Sequence, residues 1–281
     1  MEPSRGDPVR ASFFLDKGGV GKTTAAAHFG VALHEQGHDV LLIDLAGKQG
    51  DLAKHFGIWP DVQAADDDWP NIATVFQDQW DAIAEKVPDA VDGLIWDTGE
   101  GPDIIPAHRE LDGLDDLLGN IDDAVDRYSR LDAFLNGYVD GYDVILIDLP
   151  GSTSNVSYNG IWAAQNVVAP VLPGSFEEDQ AAELRSDLER IEKNQGISIE
   201  LAMLMINGID AQTKAGRHFQ EEFSAEYPDA IAPEQVCSSQ DIRNAQLDGK
   251  TLFALDEPSA TAERAIEAYR TNAAELMERL T

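Results

Sequence analysis

Short unbroken apolar runs recur along the chain, and stretches with apolar residues at helical spacing lie between them. Residues 11–15, 40–45, 144–148, 167–173 and 199–206 read as strands without polar alternation, the pattern of strands covered on both faces of a parallel sheet. A shorter strand is predicted at 93–97. Helices are predicted from Thr23 to a stop at Gly37, over 72–83, between Leu111 and Tyr138, over 177–193 and around Lys214 and Arg217. A last one, 260–280, follows the cap Asp256-Glu257-Pro258-Ser259. This alternation predicts an α/β fold: one doubly wound, mostly parallel sheet with helices on both faces and its chemistry at the strand carboxyl ends. The stretch 57–143 is the least patterned, and Asp66-Asp67-Asp68 within it reads as a solvated loop. Trp59, Trp69, Trp80 and Trp96 are scattered over different elements and read as core or rim packing in preference to a stacking surface for bases.

Length and charge narrow the class. The 281 residues suffice for one large domain or two small ones, and a single domain over 1–281 with a polar lead at 1–10 is expected. Lys plus Arg number 20 against 52 Asp plus Glu, a formal charge of −32 distributed along the chain. At 1 M salt the Debye length is only about 3 Å, so a salty, halophilic and archaeal cytoplasm is the expected setting, with a patchy acidic mimic as the rival. The single Cys237 excludes an intrachain disulfide and a Cys-x-x-Cys metal or cluster pair. No apolar run approaches membrane-span length and the first ten residues lack the apolar core of a signal peptide, so a cytoplasmic protein is expected. His34 and His38 read as solvent-facing residues at a helix end and not as a metal pair, because no further ligands lie nearby.

Candidate chemistry begins where the first strand breaks into Asp16-Lys17-Gly18-Gly19-Val20-Gly21-Lys22-Thr23-Thr24. This is a phosphate-cradling pattern: loop N–H groups face phosphate oxygens, the lysine neutralises terminal phosphates and a hydroxyl ligates Mg²⁺. Asp16 fills the first glycine position of G-x-x-x-x-G-K-[ST]. The helix that follows adds its dipole to the backbone donors. Two strands end in carboxylates, Asp44 and Asp148, and Asp148 follows four consecutive aliphatic residues, as expected of a residue that holds Mg²⁺ through its water shell.

The string Lys17 to Thr24 resembles the deviant Walker A motif of the ParA/MinD family of dimeric ATPases. The resemblance extends over nearly the full length, most firmly at 11–45, 142–152 and 236–281. It implies ATP or ADP with Mg²⁺ as ligands, and Gly18, Gly19, Val20, Gly21, Lys22, Thr23 and Thr24 as the nucleotide cradle. Thr23 and Asp148 are implied at the metal, and Lys17, Lys22 and Asp44 as catalytic groups. In that family the early lysine reaches across a dimer interface, so Lys17 implies a homodimer closed around ATP. Asn207 is implied at adenine, although Asn207-Gly208 also reads as an ordinary turn. Pro150-Gly151-Ser152 resembles the family's switch II, which can sense the γ-phosphate. One motif departs. The family commonly reads Asp-Leu-Asp-Pro-Gln-Gly-Asn where this chain has Asp44-Leu45-Ala46-Gly47-Lys48-Gln49-Gly50-Asp51. Ala46 therefore stands where the family has the aspartate that supports the attacking water, and the loop is one residue longer. Slow hydrolysis is expected, unless Asp51 or Gln49 folds back into that place.

Three functions compete. A ParA-like partitioning or positioning ATPase would dimerise on ATP, bind DNA without sequence preference through Lys214, Arg217, Arg243 and Lys250, associate with the nucleoid and respond to a stimulating partner protein. Its weak point is the acidic surface, because such binding depends on phosphate neutralisation. A switch or scaffold that binds ATP, hydrolyses slowly and recruits a protein without binding DNA is favoured by Ala46. A MinD-like membrane protein ranks third: residues 273–281 offer one arginine, Arg279, against Glu275 and Glu278. An amide- or ring-forming ligase of the same superfamily would need a substrate pocket that the sequence does not reveal. The single cysteine disfavours an iron–sulfur carrier.

Overall fold

Every residue of the strands 40–44 and 144–148 is buried, because helices cover both faces of the sheet they build. The structure is a computed structural model that describes residues 6–47, 49–65, 69–173, 177–209 and 214–281, with backbone alone for 177–183, 194–195 and 214–216. Lys48, the Asp66-Asp67-Asp68 run and the Lys214 side chain lie outside the described residues. In chain order the first elements are β1 (Val9–Phe13), α1 (Lys22–Glu35), β2 (Val40–Asp44), α2 (Asp51–His55) and α3 (Trp59–Ala64). Then come α4 (Trp80–Lys86), β3 (Trp96–Asp97), β4 (Asp103–Ile105), α5 (Leu111–Gly119), α6 (Ala124–Tyr128) and α7 (Arg130–Tyr138). The chain continues through β5 (Val144–Asp148), α8 (Asn155–Ala164), β6 (Asn166–Val171), α9 (Glu177–Gln195) and β7 (Glu200–Ile209). It closes with α10 (Lys214–Glu226), β8 (Val236–Cys237), α11 (Gln240–Leu247) and α12 (Ala260–Leu280).

The sheet order is β3-β4-β2-β5-β1-β6-β7-β8, parallel throughout except for β3 against β4. Alternate strand residues enter opposite layers. Leu41, Ile43, Ile145 and Ile147 join Leu118, Phe134 and Ile161 of α5, α7 and α8, while Phe13, Leu42, Leu146 and Met203 join Phe29, Tyr269 and Leu276 of α1 and α12. The alanine-rich α1 is sandwiched between sheet and α12, and Gly37, at φ 93°, ends its turn. Ser259 caps α12 by accepting from the Ala262 N–H. At the other end Arg279 donates to the carbonyls of Ala202 (2.8 Å), Ala230 (3.0 Å) and Ile231 (2.9 Å).

Several predicted elements are redrawn. β1 takes Val9 and Arg10 from the polar lead and stops at Phe13, before Leu15. The helix predicted over 72–83 is a 3₁₀ turn, Ile72–Phe76, held by a reciprocal Asn71–Thr74 cap; the chain then turns extended at Gln77 (ψ 149°) and restarts as α4. The strand predicted over 93–97 is mostly a 3₁₀ turn, Asp92–Leu94, and only β3 remains of it, paired with a strand the pattern did not show. That strand, β4, has three residues between Pro102 and Pro106, too short for a periodicity to register. The helical stretch from Leu111 to Tyr138 is three helices, divided at Asn120 and at Ser129, with Asp123 capping α6 by accepting from the Asp126 N–H. β7 continues through Asn207 and Gly208 to Ile209, so the pair is part of a strand and not a turn that ends it.

Candidate nucleotide site

Strand order puts β1 between β5 and β6, so the glycine loop emerges at the carboxyl edge beside Asp148 and one strand from Asp44. Asp44 and Asp148 are directly opposite in the β2–β5 register. In the loop, Gly19 (φ 77°) and Gly21 (φ 94°) occupy the left-handed region that a Cβ disfavours. No side chain caps α1, whose first N–H groups therefore remain available to an anion.

Lys22 is only 7% exposed, and its ammonium donates to the carbonyls of Leu15 (3.1 Å) and Lys17 (2.7 Å). Burial lowers its pKa, opposed by the nearby charges of Asp148 and Asp16. The segment after β5 leans on the same loop: a Cβ at Gly151 would lie 2.9 Å from the Lys17 carbonyl carbon and 3.0 Å from Lys22 Nζ. Thr153 donates to Asp16 at 2.7 Å, so the residue in the first glycine position clasps this segment. From the opposite flank Asn207 Nδ2 donates to the Val20 carbonyl at 2.9 Å. Lys17 is half-buried at the outer edge, where Gly18 and Gly19 are exposed.

Asp44 Oδ1 accepts from the Ala46 N–H (2.9 Å) and Oδ2 from the Leu52 N–H (3.3 Å), yet burial still pushes its pKa up to about 7. Burial and the charge of Asp44 raise the Asp148 carboxyl well above the usual range, while Thr23 and Lys22 pull it down. By distance and angle neither buried Asp148 oxygen completes a hydrogen bond, although the Thr23 hydroxyl is near enough to lower the carboxyl. Two orphaned carboxylate oxygens beside a hydroxyl and an ammonium fit a hydrated divalent cation, with Thr23 and Asp148 as the protein's donors. Among the described residues no group of three His, Cys, Asp or Glu could hold a metal unaided, so phosphate and water would complete the shell.

The two bonds to Asp44 hold the backbone at Ala46 and at Leu52. A Cβ at Gly50 (φ 59°) would lie 2.1 Å from the Trp59 ring, so the backbone at Gly50 is packed close beneath it. Ala46 brings no carboxylate, but Asp51 opens α2 where its charge acts on Asp44, Asp148 and His55, and it pairs with Lys54 at 2.7 Å. Gln49 is exposed.

Three of the four basic candidates have described side chains. Arg217 and Arg243 are exposed in the first turns of α10 and α11, which both leave the carboxyl edge. Lys250 is exposed past the far end of α11, about 10 Å along its axis from Arg243. The His34 ring is exposed and lies against Gly101, where an added Cβ would come within 2.0 Å of it.

Sequence reasoning missed a buried set behind the loop. His28 Nδ1 lies 2.7 Å from the Thr24 carbonyl and its Nε2 accepts from the Leu252 N–H at 3.2 Å, an arrangement that fixes a neutral ring protonated at Nδ1. His55 Nε2 lies 3.4 Å from the Thr24 hydroxyl. Burial pushes His28 down to about 3 and His55 to about 4. Glu100 accepts from the Thr251 N–H (2.9 Å) and hydroxyl. Gly57 and Gly249 meet backbone to backbone: a Cβ on Gly249 would lie 2.5 Å from Gly57 Cα. His28 among alanines was the only sequence hint, since apart from Thr24, one helical turn away, its partners come from distant segments.

A family model described as an AAA domain matches residues 11–202. The sporulation initiation inhibitor protein Soj of Bacillus subtilis is 27% identical over 248 residues, 88% of this chain and 91% of Soj. The chromosome partitioning protein ParA of Caulobacter vibrioides is 27% identical over 264 residues, 94% and 91% of the two chains. Cobyrinic acid a,c-diamide synthase from Mycobacterium smegmatis, solved with a bound ATP analog and magnesium, shares the fold with a TM-score of 0.74 at 22% identity, over 96% of this chain and 95% of that one. With the model matched over more than half its length and the Lys17–Thr24 loop set against Asp148, the chain belongs to the AAA-domain family and, within it, to the ParA/MinD type.

Proposed function

We propose that the chain is a ParA-like ATPase of DNA partitioning or intracellular positioning, working as a single domain that binds ATP or ADP with Mg²⁺ and closes a homodimer on ATP. The observation that carries this reading is the buried Asp148, with two unpartnered oxygens beside Lys22 and Thr23 at the mouth of the loop. Bound Mg²⁺ would offset phosphate charge in an in-line attack by water. In this reading the N–H groups of residues 18–24 hold the phosphates, and Lys22 exchanges the carbonyls of Leu15 and Lys17 for phosphate oxygens. Lys17 reaches the nucleotide of a second copy, and Asp44 holds the backbone at Ala46 and Leu52 through its two bonds. Asp51 supplies the carboxylate that Ala46 lacks.

Single-turnover hydrolysis and calorimetry with Mg²⁺–ATP test this. Lys22→Ala should lose nucleotide binding. Asp51→Ala should bind normally but hydrolyse about 10²- to 10⁴-fold more slowly. Lys17→Ala should bind ATP yet remain a monomer by light scattering. A wild type that binds no nucleotide overturns the reading. The slow switch or scaffold has Ala46 in its favour, and it prevails if Asp51→Ala changes nothing while Ala46→Asp raises the rate.

The ATP dimer is further proposed to bind DNA through Lys214, Arg217, Arg243 and Lys250, and to place the protein on the nucleoid of a salty cytoplasm under the control of a partner protein. Each alanine substitution should lower the salt slope of DNA binding by about one unit, measured across a salt series. No binding at working salt would remove DNA from the proposal. A membrane role is disfavoured because Arg279, the basic residue of the last turn, is already committed to three carbonyls. Among the described residues no helix is long and apolar enough to cross a membrane.

A further inference from the structure

We propose that Asn207 is a positioning residue for the phosphate loop, acting on phosphate affinity whatever base the nucleotide carries; this rests on the nucleotide reading above and replaces adenine recognition as the residue's main role. Asn207 Nδ2 donates to the Val20 carbonyl at 2.9 Å, and its Oδ1 accepts from the Gly208 N–H at 2.9 Å. Backbone partners at both ends therefore set which way the amide faces. A Cβ at Gly21 would lie 2.3 Å from Asn207 Nδ2, so the amide occupies the space that any side chain at 21 would need.

The consequence follows from peptide planarity. The Val20 carbonyl and the Gly21 N–H belong to one trans peptide and point in opposite directions. Holding that carbonyl toward β7 aims the Gly21 N–H away from β7, into the turn that Leu15, Lys17 and Lys22 close. Without the amide, this peptide lies between Val20 and a glycine at φ 94°, where rotation meets little steric resistance, and a flip would present a carbonyl oxygen to the phosphates. Thr153 to Asp16 and Gly151 against Lys17 hold the beginning of the loop; the Val20 side chain is buried in the core and the Gly21 carbonyl accepts from the Ala25 N–H at 2.8 Å, but the bond that acts on the peptide between Val20 and Gly21 is the one from Asn207.

The test is calorimetric affinity of wild type, Asn207→Ala, Asn207→Asp and Asn207→Ser for Mg²⁺–ATP, Mg²⁺–GTP and magnesium tripolyphosphate, with ligand-free melting as the control for folding. Asn207→Ala should weaken all three ligands by a similar factor, about tenfold for one lost hydrogen bond. Asn207→Asp should be weaker still, because it sets a carboxylate against the Val20 carbonyl. Asn207→Ser keeps a donor and should recover part of the affinity for every ligand, at an unchanged ligand-free melting point. Loss confined to ATP, with GTP and tripolyphosphate within twofold of wild type, overturns the proposal in favour of adenine recognition. A wild type that binds none of the three removes the nucleotide reading and this inference together.

Discussion

His28 holds its ring between a carbonyl that needs a proton from Nδ1 and an N–H that needs a lone pair on Nε2, and only the neutral imidazole serves both. Its native pKa is about 3 and that of His55 about 4, against about 6.5 in an unfolded chain. Below pH 6.5 the unfolded state takes up protons that the native state refuses, so these rings make stability fall with acid, on the order of 2 kcal/mol per ring at pH 5. Asp44, raised to about 7, has the opposite sign: the native carboxyl keeps its proton longer, and that contribution is lost as pH rises through 7. His28→Gln should therefore flatten the decline of the urea midpoint between pH 6.5 and 4.5 at fixed salt; an unchanged slope would show that the ring is not a buried neutral base. The phosphate loop was legible in the sequence because its chemistry is local, eight consecutive residues that each have a type requirement. The bond from Asn207 to Val20 joins positions 187 apart, and nothing in either neighbourhood announces it.

Helix ends illustrate which contacts carry weight at the scale of an element. Ser259→Ala should cost about 1 kcal/mol through the lost bond to the Ala262 N–H. Arg279→Ala should cost more, about 2–3 kcal/mol, because it strands the carbonyls of Ala202, Ala230 and Ile231. Thermal unfolding of the two variants ranks them, and equal costs would mean that water replaces the guanidinium at those carbonyls. The inner strands were readable because burial on both faces removes all polar alternation from them. β4 was not, since a three-residue strand carries no period, and of the strand predicted over 93–97 only the two residues of β3 remain. Apolar spacing runs on through 111–138, so the breaks at Asn120 and Ser129 come from local turn and capping geometry that a hydrophobic pattern does not record.

The whole molecule carries 32 more acidic than basic side chains, distributed along its length. Repulsion among them should make the unfolding midpoint rise steeply between 0.1 and 2 M KCl, over which the Debye length shrinks from about 10 Å to under 3 Å. A flat profile would show that close ion pairs, such as Arg130 with Asp78 and Asp126, already balance the surface. Within that charged shell the meeting of Gly57 and Gly249 acts as a bearing without a bushing. Two main chains touch there with no side chain between them, both glycines have positive φ, and a methyl on either would have to enter the other's backbone. Side-chain packing normally absorbs small shifts by rotating a torsion; this joint has no side-chain torsion to rotate. A tilt of α2, whose first turn hangs from Asp44 through Leu52, would press directly on the residue before Lys250, with no side chain between the two main chains to take up the shift.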